Sequence, residues 1–311
     1  MTKIVSSYYV LGRKKQSLSA ICKENPSWNY EKLLKKTGIS NRYILDDRET
    51  PEDLSIRAGK RCMSVIKNKA IDGIIYVSQS PSSPLPTRAC ILQDALNIPL
   101  NSLAFDVNQG CSGFIYALSL ANSLIKNKEA KRVLIICTDY YSKYISDKDR
   151  TSRPIFSDAA AAVILESSDK TNIGPFIFKT DGSGAKHLTV RKKEGMQQLF
   201  MNGPEVLKFS LNLVPKATYE LLDKASMKLD DIDMFIFHQA SAVVLDKLQK
   251  KLNIDDKKWV KIIQNIGNTV SATIPIAINI LDKQNKFKQN KKFLLMGFGV
   301  GLSVGGCIVS T

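Results

Sequence analysis

The amino-acid sequence predicts a five-layered α/β fold, helices–sheet–helices–sheet–helices, in which the second half of the chain repeats the first around two mixed sheets. Three observations carry this. Segments recur in the same order at an offset of roughly 160 residues. The recurring strand segments, such as VLIIC and FLLMG, are continuous apolar runs, as expected for strands covered by helices on both faces. Between them lie stretches with apolar residues at i, i+3 and i+4, the spacing of an amphipathic helix.

In chain order, IDGIIYVSQS at 71–80 is the first strand of the repeat, echoed by IDMFIFHQAS at 232–241. ALNIP at 95–99 closes the next helix and is echoed by KLNID at 251–255. FDV at 105–107 is strand-like, and the chain then tightens at Gly110, Cys111, Ser112 and Gly113. A helix follows, with Phe114, Ala117, Leu118, Ala121, Leu124 and Ile125 on one face; NIGNTVSATIPIAINIL at 265–281 echoes this corner and helix. KRVLIICTD at 131–139 matches KKFLLMGFG at 291–299, and AAAAVILE at 159–166 matches GGCIVS at 305–310. Each half therefore reads strand, helix, strand, helix, strand, strand. The division falls into residues 1–170, with the cysteine corner, and 171–311. Residues 169–193, rich in Gly, Lys, Ser and Thr, read as a connector with a surface hairpin, and 200–227 as a helix inserted early in the second half.

The Cys111 corner invites chemistry. The first turn of a helix offers unpaired N–H groups and a partial positive charge, which favour a thiolate. Flanking glycines allow another molecule to approach closely. A buried, inert thiol is the alternative for any single cysteine, and the repeat decides between them. Equivalent corners of two packed halves should meet, and those of the second half carry His238 and Asn268. Of the two histidines in the chain, His187 sits in the connector and reads as a surface residue. Cys, His and Asn converging from three corners form a nucleophilic site.

Composition narrows the classes. At 44% hydrophobic and 24% charged, the chain can build one large core or two fused ones. No apolar run is long enough to span a bilayer. The start, MTKIVSSYYVLGRKK, lacks the order of a signal peptide, so a cytoplasmic location with reduced thiols is expected. The six cysteines (Cys22, Cys62, Cys90, Cys111, Cys137, Cys307) show no metal spacing, and no metal site is expected. Cys62, Cys90 and Cys137 lie within predicted elements and are expected to be buried. The net charge of +16 comes from scattered lysines without a recognition motif, so nucleic acid is not the expected partner; a basic surface would also suit an acidic protein or phosphate-bearing ligands, and the charge alone does not choose.

At these corners the chain resembles the β-ketoacyl-acyl-carrier-protein synthase III enzymes of the thiolase superfamily. FDVNQGCSGF resembles the family's nucleophile segment, FHQAS its histidine segment and IGNTVSATIP its asparagine segment. GFGVG resembles its final glycine-rich loop and FSDAAAAVIL the strand pair after the nucleophile helix, while TGI at 37–39 extends the likeness toward the N-terminus. The resemblance implies a duplicated thiolase-like fold and a homodimer. It implies a decarboxylating Claisen condensation of a starter acyl-coenzyme A with malonyl-acyl carrier protein, without cofactor. Cys111 would carry the acyl group, with the backbone N–H groups of Cys111 and Val300 as its oxyanion hole. His238 and the Asn268 amide would hold the enolate oxygen. Substrate contacts would come from Lys36, Arg150, Phe156, Gly203, Leu207, Ser241 and Phe298, with Leu85 capping the acyl pocket across the dimer interface.

Departures bear on the substrate. The family's histidine segment usually reads HQAN, and here Ser241 replaces that asparagine. The usual basic residue is absent at Val243, and Lys32 stands where a tryptophan is expected before TGI; Lys36 and Arg150 keep positive charge. Leu85 replaces the more usual phenylalanine. These changes imply a looser grip on coenzyme A and a starter other than acetyl. A hydroxymethylglutaryl-type synthase would need a glutamate base between the first strand and the nucleophile, and 76–111 contains none. Two alternatives share the fold: a non-elongating acyltransferase to an alcohol or amine, and a catalytically inactive subunit that shapes a partner's pocket.

Overall fold

The computed structural model describes residues 1–66, 70–193, 195–287 and 290–311. The first part of the chain forms β1 (Thr2–Leu11), β2 (Lys14–Ser17), α1 (Leu18–Glu24), α2 (Tyr30–Thr37), β3 (Asn41–Ile44), α3 (Pro51–Ser64), β4 (Gly73–Val77), α4 (Arg88–Ala95), β5 (Leu103–Val107), α5 (Gly113–Lys126), β6 (Arg132–Asp139) and β7 (Ala159–Ser167). The rest forms β8 (Asn172–Thr180), β9 (Leu188–Lys193), β10 (Met196–Met201), α6 (Gly203–Lys224), β11 (Met234–Phe237), α7 (Ala242–Leu252), α8 (Thr273–Lys283), β12 (Lys292–Gly299) and β13 (Ser303–Ser310).

One sheet has the strand order β1-β7-β6-β4-β5, the other β8-β13-β12-β11. A parallel bridge from Phe235 of β11 to Trp259 extends the second sheet where β5 extends the first. The two orders are therefore the same. In both sheets the central pair is parallel (β4 with β6, β11 with β12) and the next pair antiparallel (β6 with β7, β12 with β13). The repeat persists at single side chains. The Asp72 carboxylate accepts the Arg132 N–H at 2.8 Å, and Asp233 accepts the Lys292 N–H at 2.9 Å, each at the start of a parallel pair.

Side-chain alternation sets the layers. Val133, Ile135 and Cys137 of β6 point into a core shared with α5 and α8, as do Phe293 and Leu295 of β12, so these helices lie between the sheets. Leu134 and Ile136 face α3 and α4 on one outside, and Leu294 and Met296 face α6 and α7 on the other. The central strands are apolar throughout because both their faces are covered.

Three expectations change. Residues 172–180 are not connector but β8, a full member of the second sheet paired with β13. The hairpin is β9–β10 at 188–201, partly beyond the expected connector. The helix of 200–227 is not an insertion: α6 stands between β8 and β11 as α3 stands between β1 and β4. The additional segments are β2, α1, α2 and β3 in the first half and the β9–β10 hairpin in the second.

Candidate active site

Cys111 lies in the turn between β5 and α5, 5% exposed. Two glycines of β12 make room for it. A Cβ on Gly297 would stand 2.7 Å from Ser112 Cα, and one on Gly299 would stand 2.8 Å from Cys111 Sγ. Only bare backbone can pass so close to the sulfur. Burial pushes the Cys111 thiol up to about 12, with the Asp139 carboxylate adding to the rise, while the N–H groups of Val300 and Cys111 hydrogen-bond to the sulfur and oppose it. The thiolate expected from the helix terminus is thus not the resting form: the corner is too dry for an anion. These are the two N–H groups that the resemblance assigns to an oxyanion hole.

His238 directly follows β11, and its N–H donates to the Met296 carbonyl at 2.8 Å, tying the turn to β12. The ring is buried, edge-on to Phe298 with centroids 5.5 Å apart, and Nδ1 lies 2.7 Å from Thr273 Oγ1. Burial lowers its pKa to about 3, so the imidazole is neutral at physiological pH. Asn268 is pinned at its backbone to the first half: its N–H donates to the Ile155 carbonyl at 2.9 Å, and its carbonyl accepts from the Ser157 N–H at 2.8 Å. Its Oδ1 accepts the Val270 N–H at 2.9 Å, and its Nδ2 donates to the Ala240 carbonyl at 3.3 Å. An amide carries two N–H donors, so one remains for an oxygen in the cavity.

Cys111, His238 and Asn268 all open onto one cavity of about 320 Å³. Lys36, Phe156, Gly203, Leu207, Ser241 and Phe298 line it as expected, in a wall that is otherwise mostly apolar, with Met201, Val206, Val243 and Val244. Ser241 also has a structural duty, since its Oγ caps α7 by accepting the Val244 N–H at 3.4 Å. Val300 presents its N–H to the sulfur but lines a neighbouring cavity of about 290 Å³ with Tyr141 and Leu199. One expected contact is not brought here: Arg150 is exposed and lines neither cavity. Leu85, expected to cap the pocket across a dimer interface rather than in its own chain, is 79% exposed on the surface. Cys90 is exposed rather than buried, whereas Cys62 and Cys137 are buried as expected.

Asp139, at the end of β6, was not singled out by sequence. Its buried carboxylate accepts from Ser271 Oγ at 2.6 Å, Ser80 Oγ at 2.8 Å and the Gln79 N–H at 2.9 Å, bracing the asparagine turn against the first half. Burial holds its carboxyl above the usual range. The legible signal was a lone carboxylate closing an apolar strand, which must be hydrogen-bonded if buried. Among the described residues no cluster of His, Cys, Asp and Glu could hold a metal ion, and no helix is long and apolar enough to cross a membrane.

This arrangement has close counterparts. Residues 105–182 match the model of the 3-oxoacyl-acyl-carrier-protein synthase III family and 222–311 the model of its C-terminal region. A β-ketoacyl-acyl-carrier-protein synthase III of Clostridium perfringens is 36% identical over 293 residues, covering 90% of each chain. The chain belongs to the β-ketoacyl-acyl-carrier-protein synthase III family. As a member of that family it is an acyltransferase of the condensing type, with a thiolase-like fold. A crystal structure of a 3-oxoacyl-acyl-carrier-protein synthase III superimposes with a TM-score of 0.94 at 36% identity, covering 100% of this chain and 99% of its own. The priming β-ketosynthase of the R1128 polyketide pathway superimposes with a TM-score of 0.93 at 25% identity, covering 100% and 96%.

Proposed function

We propose that this synthase condenses a starter acyl thioester with malonyl-acyl carrier protein through an acyl-Cys111 intermediate, at the initiation of an acyl chain. The observation that carries the reading is the convergence of Cys111, His238 and Asn268 on one cavity, with two backbone N–H groups on the sulfur. The thiol is neutral at rest, so it must lose a proton as it attacks the acyl carbonyl. His238 Nε2 takes that proton while the N–H groups of Cys111 and Val300 hold the carbonyl oxygen. The coenzyme A thiolate leaves with that proton, taken back from His238 Nε2, so the ring is neutral again. Malonyl thioester then enters, Nε2 takes up a proton from solvent beside the malonyl carboxylate, and CO₂ is lost. Its enolate oxygen is held by His238 Nε2–H and the free Asn268 Nδ2–H while the new C–C bond forms. The Cys111 thiolate departs and recovers its proton from His238, releasing the 3-oxoacyl thioester. The imidazolium exists only beside an anion, first the leaving thiolate and then the malonyl carboxylate or enolate, which is how so buried a ring can be charged at all. No metal or cofactor enters these steps.

We place the enzyme in the cytoplasm as a homodimer. The dimer is supported by β5, an edge strand of the first sheet with Leu103 exposed on it and Leu100 exposed just before it, and by Leu85, three residues before Arg88, whose N–H donates to Asp106 of β5. In such a dimer Leu85 caps the partner's acyl pocket. We read 1–170 and 171–311 as the duplicated halves. The test is incubation with a panel of acyl-coenzyme A starters and malonyl-acyl carrier protein, with mass spectrometry of the carrier. A 3-oxoacyl carrier is expected; an acyl group moved to an acceptor without loss of CO₂ would overturn the condensation.

A further inference from the structure

Val270 follows Asn268 by two residues and is fully buried, yet its φ is +54°. A β-branched side chain in the left-handed region is strained and persists only where its surroundings over-determine it. The surroundings here are the active site. The Val270 N–H holds Asn268 Oδ1, and its carbonyl accepts the Thr273 hydroxyl at 3.1 Å. Thr273 Oγ1 is in turn 2.7 Å from His238 Nδ1. Ser271, the next residue, is fixed to Asp139 through its N–H at 3.2 Å and its Oγ at 2.6 Å. The two sides of one strained residue thus reach both second-half members of the catalytic set.

A hydroxyl has a single hydrogen. Once Thr273 gives it to the Val270 carbonyl, Oγ1 can only accept at its contact with the imidazole, so Nδ1 must carry the proton. We propose that Thr273 is a positioning residue that fixes His238 as the Nδ1–H tautomer, leaving a lone pair on Nε2 toward the cavity, with the left-handed Val270 as the common anchor of imidazole and Asn268 amide. For its consequence in turnover this rests on the proton path from Cys111 to Nε2 described above; the tautomer itself does not. The two neutral tautomers of histidine are close in energy, and the hydrogen bond made by one ring nitrogen decides which is present. A neutral hydrogen bond of ordinary strength shifts their ratio by about tenfold.

The test uses the intact enzyme labelled with ring-¹⁵N histidine at neutral pH. The chain has two histidines, so His187→Ala assigns the spectrum in one step. The wild type is expected to show a protonated Nδ1 and an unprotonated Nε2 at His238. In Thr273→Val, which keeps the shape and removes the hydroxyl, the Nδ1–H form should lose its dominance and Cys111 acylation by an acyl-coenzyme A should slow about tenfold or more. Thr273→Ser should restore both. A resting wild type protonated at Nε2 overturns the proposal, and does so even if Thr273→Val fails to fold. Unchanged tautomer and acylation in a folded Thr273→Val would overturn it as well. His238→Ala acylating at the wild-type rate would instead remove the histidine from the proton path, while an Nδ1–H wild-type spectrum would still support the tautomer assignment.

Discussion

Replacing His238 by Gln should change how stability responds to acid. The imidazole is buried with a pKa lowered to about 3, against an ordinary value of 6.5 in the unfolded chain. A group whose pKa is depressed on folding contributes its full stability above the unfolded value and loses it as pH falls toward the folded one. Between pH 8 and pH 5 the unfolded His238 gains a proton that the folded ring refuses. The wild type should therefore lose about 2 kcal/mol more than His238→Gln over that interval, from 1.5 pH units below 6.5 at ~1.36 kcal/mol each. The size depends little on the folded value, provided it lies below 5.

The assay is urea denaturation of both proteins at pH 8 and pH 5, at one protein concentration because association would otherwise shift the midpoints. Comparing differences cancels every other titrating group, including Asp158, whose burial raises its carboxyl to about 6. Gln keeps a polar group near Thr273, so the two proteins should differ chiefly in the charge. Parallel loss of stability in both would show that His238 can be protonated without cost in the folded enzyme. The neutral resting imidazole, and the acceptor role built on it, would then be wrong.

Cys111→Ala should abolish acyl-enzyme formation, checked by intact-protein mass spectrometry after incubation with acyl-coenzyme A. Exposed Cys90, unlike buried Cys62, Cys137 and Cys307, should still react with a thiol reagent in that variant. Asn268→Ala should leave acylation intact, because that oxyanion hole is backbone, and slow decarboxylative condensation by ~10²-fold or more. Equal losses in both half-reactions, measured separately, would refute this division. Gly299→Ala would put a Cβ 2.8 Å from the sulfur and should destabilise the fold by about 1–3 kcal/mol in thermal or urea unfolding while crippling acylation. Lys208→Glu with Lys247→Glu, on two of the helices whose residues line the cavity, should raise KM for the malonyl carrier and spare acylation by a small thioester; a KM indifferent to both charge reversal and salt would place the docking surface elsewhere.

Much of this was legible in the sequence, for physical reasons. Strands buried on both faces write themselves as VLIICTD and FLLMGFG, and duplicated halves keep duplicated motifs, so central strands and the corners of Cys111, His238 and Asn268 stand out. The strands of the two large sheets that went unread, β1 and β8, are edge strands in equivalent places. One face of each is only half-covered, and β8 carries Gly174 and Pro175, so neither has a continuous apolar run. The cavity wall followed from position along the motifs, but Arg150 did not join it, because charge at a matching place does not fix where a surface loop points. Val270 and Thr273 carried no signal. Their importance lies in a backbone dihedral and a hydroxyl direction, neither of which a residue name reveals.

Duplication also explains why the site is braced as it is. In the matched segments KRVLIICTD and KKFLLMGFG, the last residues are Asp139 and Gly299. These equivalent strand ends have opposite characters, and each serves the corner of the other half. Asp139 in the first half holds Ser271, three residues beyond Asn268 in the second. Gly299 in the second half makes way for Cys111 in the first. A symmetric pair of corners would give two identical weak sites. Divergence at the two strand ends instead gives one corner a carboxylate brace beside Asn268, and the other a bare backbone that admits the Cys111 sulfur into a dry turn. Neither half holds a complete site, because each corner is finished by the opposite strand. The catalytic constellation therefore depends on how the two sheets pack across α5 and α8, and substitutions in that shared core, such as at Ile135 or Leu295, should disturb catalysis before they disturb either sheet.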